Sequence, residues 1–175
     1  MNPVIKTYIN DHRTQMFGLL KELVCIQSGS RNKEGIDRLG KRIAMEMEAM
    51  GFFCEFQRET QYGNHLIARS FDAKTSYSNK SGPKPPANGQ STEPDKPQIL
   101  ITGHMDTVFP ADTAFNDYTE DENCCFGPGV ADMKGGLVVG IFALKALHHA
   151  KLIRKNPITF IFNSDEEIGS PSSRG

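Results

Sequence analysis

The chain has 175 residues, 20 Lys+Arg against 21 Asp+Glu, a formal net charge of −1 and 38% hydrophobic residues. That balance fits one soluble domain and supplies no basic stripe for phosphates, so neither nucleic acid nor a membrane surface is expected as a partner. No apolar stretch approaches the roughly 20 residues that span a bilayer, the N-terminus lacks the parts of a secretory signal, and four cysteines, two of them adjacent, make no disulfide framework; a reducing cytoplasm is the expected location.

In chain order, apolar positions from Val4 to Ile26 predict an amphipathic helix that stops at Ser28-Gly29-Ser30. A second helix is expected over 33–50, with Ile36, Leu39, Ile43, Met47 and Met50 on one stripe and Gly51 as its stop. Runs 52–57 and 64–70 read as strands paired in a hairpin through Gly63. The stretch 71–97 holds five of the ten prolines and four apolar residues. Such a composition cannot offset its ordering entropy, and a disordered insertion is expected there. A strand over 98–102, a helix over 133–150 and a buried strand over 157–163 then make a βαβ unit. The expected fold class is α/β, a mostly parallel sheet with helices on both faces.

Ligands of open α/β sheets bind beyond the carboxyl ends of the strands, and three polar clusters fall there. The first is Gly103-His104-Met105-Asp106. An imidazole that binds metal commonly gives its other N–H to a carboxylate, a part open to Asp106, although an HxD triplet alone reads more readily as ordinary strand-end hydrogen bonding. The second is Asp132 in FGPGVADMKGG. A glycine-dense loop can cradle phosphate, but a carboxylate at the helix mouth and the mismatch to a P-loop oppose a nucleotide site; Asp132 reads equally as a helix cap or a ligand. The third is Asp165-Glu166-Glu167, three adjacent acids after an apolar strand, either a solvated turn or a set relieved by a cation. Two neighbouring acids pointing apart could divide metal binding and proton transfer between them. The remaining singular residues are assigned structural parts: His12 and His65 as isolated histidines, His148 and His149 at a helix end, Met45, Met47 and Met50 in core packing, and Lys134 as a field residue or a solvated helix-start lysine.

The strings ILITGHMDTV, FGPGVADMKGG and FNSDEEIGS, in that order with 27 and 33 residues between His104, Asp132 and Glu166, resemble the zinc-dependent exopeptidase and deacylase family. That family includes glutamate carboxypeptidase, acetylornithine deacetylase, succinyl-diaminopimelate desuccinylase and aminoacylase, and the glutamate carboxypeptidase branch is the strongest likeness. The resemblance implies two Zn2+ or Co2+ ions. It makes His104 a ligand of one, Asp132 the bridge, Glu167 a ligand of the other, Glu166 the general base and Asp106 the carboxylate that orients His104. It also implies a cis peptide after Asp132, peptide or N-acyl amino-acid substrates, and homodimers among full-length relatives. The family's further ligands and its lid domain have no counterpart in these 175 residues, so the chain is expected to be an N-terminal portion of the catalytic domain, inactive alone. The alternative is a non-catalytic metal-binding or interaction module.

Overall fold

A computed structural model describes residues 2–70, 98–153 and 156–174; the expected insertion over 71–97 lies outside them. Two helices, α1 (Pro3–Asp11) and α2 (Arg13–Val24), replace the single helix expected at the N-terminus. The break falls at His12, whose ring stacks on Tyr8 at 3.8 Å and whose Nδ1 bonds the Tyr8 carbonyl at 2.8 Å. The third helix, α3 (Lys33–Glu48), starts at Asn32, whose side chain accepts from the Gly35 N–H, the usual work of an Asn cap. Its stripe Ile36, Leu39, Ile43 and Met47 is fully buried, while Met45 of the expected core trio points to solvent at 64% exposure.

Strands β1 (Phe53–Gln57) and β2 (His65–Arg69) form the expected antiparallel hairpin. Strand β3 (Ile99–His104) runs two residues beyond its predicted end, so Gly103 and His104 belong to the strand itself. A small hairpin, β4 (Thr119–Glu120) and β5 (Cys125–Phe126), precedes helix α4 (Gly135–His149) and strand β6 (Ile158–Asn163).

The sheet order is β1-β2-β6-β3. The βαβ unit is present, with β3 and β6 parallel from Ile99↔Ile158 to His104↔Asn163. The α/β class therefore stands, but two finer expectations do not. First, β2 joins β6 antiparallel, so the described sheet is mixed rather than mostly parallel; the hairpin attaches by its second strand, an arrangement no local pattern encodes. Second, the two helices that pack on the sheet share one face. A side chain at Gly40 of α3 would meet Phe56, and one at Gly140 of α4 would meet Phe160. Pairing through Phe56↔Leu66↔Phe162 and Ala68↔Phe160 puts these rings on a common side. On the opposite face Phe53 and Leu100 remain 52% and 63% exposed.

The core is one cluster between sheet and helices, built from Leu23, Ile36, Leu39, Met47, Leu66, Phe160, Phe162, Leu137 and Ile141 among others. Helix α4 lies between the sheet and the α1/α2 pair, which is why it is apolar on nearly every side. The parallel pairing has the consequence that matters for chemistry. It brings the carboxyl ends of β3 and β6 side by side, with the Met105 N–H bonded to the Asn163 carbonyl at 2.7 Å.

Candidate metal centre

His104 closes β3 and is 6% exposed. Its backbone N–H contacts the Met133 sulfur at 3.2 Å and its Nδ1 lies 3.1 Å from the Asp106 carbonyl and 3.3 Å from Asp106 Oδ1. The ring is thereby turned so that Nε2 faces Asp132 Oδ1 at 2.9 Å. Asp106 is fully buried and is met from three segments. Its Oδ2 accepts from Ser30 Oγ at 2.7 Å and from the Glu167 N–H at 3.1 Å, and its Oδ1 accepts from the Glu166 N–H at 3.1 Å. One carboxylate thus fixes both the imidazole of β3 and the turn after β6.

Asp132 lies in an irregular turn over Val130–Lys134, and the Asp132–Met133 peptide is cis. The turn is entered through Gly129 at φ 78°, where a Cβ would also stand 2.8 Å from Thr107 Cγ2; a left-handed residue in so tight a place favours glycine. Helix α4 begins at Gly135, two residues later than predicted, so Asp132 is not its cap. The side chain of Asp132 is 75% exposed. Glu166 is also open, 56% exposed, with Oε2 3.8 Å from His104 Nε2, and Glu167 is half-buried.

The structure brings together four of the five residues singled out in the sequence, with the fifth, Asp106, directly beneath them. One ligand atom from each of His104, Asp132 and Glu167 lies within 4.8 Å of the others. The electrostatics follow from this crowding. Burial lowers the His104 imidazole pKa, but hydrogen bonds to Asp106 and Asp132 outweigh it and raise the value to about 9. Burial raises the Glu167 carboxyl, opposed by His104 and reinforced by Asp132, Asp106 and Glu166. Asp106 goes the other way, its burial outweighed by bonds from His104 and Ser30 that hold it below the usual carboxylate range. An imidazole kept protonated among carboxylates marks a place where positive charge is stabilised.

Three assignments made from the sequence change. Lys134 is not a solvated helix-start lysine: it is fully buried, gives its Nζ to the Ile26 carbonyl at 2.9 Å, and burial pushes its pKa down to about 8. His65 is not isolated. It is buried, Nδ1 accepts from the Ser164 N–H at 3.2 Å, and Nε2 meets Ser172 Oγ at 2.8 Å, tying β2 to the turn that carries Glu166 and Glu167. Asp165 is fully buried with Oδ2 bound to the Ser172 N–H, so the three adjacent acids are not a solvated run. Ser30 escaped notice because its partner is 76 residues away; the local signal of Ser28-Gly29-Ser30 is only that of a helix stop.

Residues 100–175 match the family model described as peptidase family M20/M25/M40. Carboxypeptidase G2 of Pseudomonas sp. (strain RS-16) is 29% identical over 165 residues, which cover 94% of this chain and 35% of that protein. Succinyl-diaminopimelate desuccinylase of Blochmanniella floridana is 38% identical over 74 residues, 39% of this chain and 19% of the relative. Among solved structures, human carnosine dipeptidase 1 superposes with a TM-score of 0.73 at 21% identity, over 99% of this chain and 36% of that one. An M20 family metallo-carboxypeptidase from Sulfolobus solfataricus gives 0.64 at 21% identity, over 89% and 32%. The chain therefore spans about a third or less of the length of these relatives, and the structural likenesses establish a shared fold.

Proposed function

We propose that the protein is a metal-dependent hydrolase of an amide bond, acting on peptides with a C-terminal glutamate-type residue or on N-acyl amino acids. The observation that carries this reading is the convergence of His104, Asp132 and Glu167 with Glu166 beside them. One imidazole and two carboxylates are the nitrogen and oxygen donors that zinc or cobalt accepts, and the mutual crowding of the acids is what a cation relieves. On this reading His104 holds one ion, Glu167 the other, and Asp132 both. Bound zinc supplies Lewis acidity, which favours ionised water near neutral pH and draws electron density from a carbonyl oxygen.

The chain's own residues do the rest. Asp106 holds the His104 ring with Nε2 directed at the cluster. Glu166, exposed and within 3.8 Å of that nitrogen, takes a proton from water and returns it to the departing amine, the part of a general base and then acid. The described residues offer three donors, fewer than two four-coordinate ions require. Turnover therefore needs donors from elsewhere in the protein, and residues 1–175 are read as a portion of the catalytic domain that is inactive alone. The names carboxypeptidase G2 and succinyl-diaminopimelate desuccinylase support the choice of amide substrates.

Zinc binding is measurable on the chain itself. At a zinc concentration of 100 Kd the folded state should gain about 2.7 kcal/mol, seen as a higher melting temperature that EDTA reverses and that His104→Ala, Asp132→Ala or Glu167→Ala removes. An unchanged melting curve with zinc and cobalt would sink the metal-site assignment. In the whole protein, Glu166→Ala should retain zinc and lose ~10²–10⁴-fold in turnover.

A further inference from the structure

Next to the metal cluster, and with no part in it so far beyond a shared Glu167, is a cavity of about 510 Å³, inside the range of small-molecule sites of ~300–1,000 Å³. Two loops build it. The loop after α2 supplies Arg31, the loop after β3 supplies Val108, Phe109 and Ala111, and Ile168 joins Glu167 from the turn after β6. The loops are fastened to each other. Thr107 N–H bonds the Ser28 carbonyl at 2.9 Å, Ser30 N–H bonds the Thr107 carbonyl at 3.2 Å, and Gln27 Nε2 bonds the Phe109 carbonyl at 2.9 Å. The Phe109 ring also packs on Phe115, centroids 5.1 Å apart. The cavity is thus a formed site with a fixed wall, and its lining is chiefly apolar.

Two features call for a ligand of a definite kind. Val108 and Ile168 expose 64% and 41% of their surface at the mouth of a cavity that adjoins the cluster, and an apolar group seated there would cover them. Arg31 is exposed, lines the same cavity and forms no ion pair among the described residues; a guanidinium within reach of the cavity suits a carboxylate. A glutamate side chain would set a second carboxylate against apolar walls and beside Glu167.

We propose that this cavity is the substrate side-chain pocket and that it takes an aromatic or branched aliphatic residue, with Arg31 pairing to that residue's carboxylate and Phe109 setting the apolar preference. The proposal rests on the hydrolase reading for the position of the bond to be cut, and of the two substrate classes named there it selects N-acyl amino acids, with an apolar side chain on the amino acid.

The test is an NMR titration of the full 175-residue chain in EDTA with 3-phenylpropionate, its neutral amide and glutarate. The expected result is 3-phenylpropionate binding at least fivefold tighter than glutarate, with shifts centred on residues 29–32 and 107–111. Arg31→Gln should bring 3-phenylpropionate to the level of the amide while leaving the amide unchanged. Ala111→Trp, at an exposed residue that lines the cavity, should abolish binding with the melting temperature unchanged. Glutarate binding as tightly as 3-phenylpropionate, shifts centred elsewhere, or an Arg31→Gln variant that binds both probes like the parent would overturn the inference. Zinc titration of the same samples separates the two readings. Zinc binding without probe binding removes the pocket and leaves the hydrolase, whereas probe binding without zinc leaves the pocket and removes the hydrolase.

Discussion

Replacing Asp106 by asparagine tests whether one buried carboxylate holds the site together. The parent side chain accepts three hydrogen bonds, from Ser30 Oγ, Glu166 N–H and Glu167 N–H, and borders His104 Nδ1. An asparagine can keep an oxygen toward Glu166 and His104 only by turning its NH2 toward Ser30 and Glu167. The Ser30 hydroxyl can rotate to accept, but the Glu167 N–H then has no acceptor, at a cost of ~1–3 kcal/mol for a buried donor. The surviving bonds also fall from the charged to the neutral class, a further ~1 kcal/mol each. The sum, about 4 kcal/mol, is a large part of a domain stability of ~5–15 kcal/mol. With a urea slope of ~2 kcal/mol/M the denaturation midpoint should drop by about 2 M. Circular dichroism across a urea series reads this directly. A midpoint within about 0.3 M of the parent, given the usual slope, would refute the claim that these bonds are made to a buried charge.

Two other outcomes follow from the same structure. Glu46 is gripped by Lys145 and Arg42; burial raises its carboxyl, but those hydrogen bonds outweigh it and hold it below its ordinary 4.5. Because the folded value is the lower one, the group stabilises the fold above its unfolded pKa and that contribution is lost as pH falls, so the melting temperature of Glu46→Gln should fall less steeply than the parent's from about pH 5 to about pH 3. Equal slopes would show that the ion pair contributes nothing. At Gly103, a Cβ would stand 2.7 Å from Leu137 Cδ2 and 3.1 Å from Met133 Cε. Gly103→Val should therefore cost ~1–3 kcal/mol by overpacking and, by displacing Met133, weaken zinc binding; a variant with the parent's melting temperature and zinc midpoint would show that α4 yields freely.

The candidate site residues were legible because they sit in short strings: His104, Asp106, Glu166 and Glu167 lie at or just beyond the carboxyl ends of the parallel β3–β6 pair, and Asp132 joins them from the turn before α4. Elements with a strong period were legible too, as with the buried stripe of α3. What escaped depends on partners distant in sequence. The burial of Lys134 is set by the carbonyl of Ile26, 108 residues earlier, and the place of His65 by Ser164 and Ser172. The break at His12 was hidden because apolar residues stand on both sides of it, Ile9 before and Met16 after, with no Gly or Pro between them. The direction in which β2 joins β6 carries no local signature, since Ile67 and Ala68 would alternate equally well in either orientation.

The unequal burial of the candidate ligands has a thermodynamic consequence. His104 is already fixed through its backbone and Nδ1, so an incoming ion finds that donor pre-organised and immobilises almost nothing there. Asp132, 75% exposed, and the half-buried Glu167 are less confined, and each must be ordered on binding at ~0.5–1.5 kcal/mol. Half of the site is a rigid template and half is recruited on binding, so calorimetry of zinc association should show an unfavourable conformational entropy that belongs to the acidic side chains and hardly at all to the histidine.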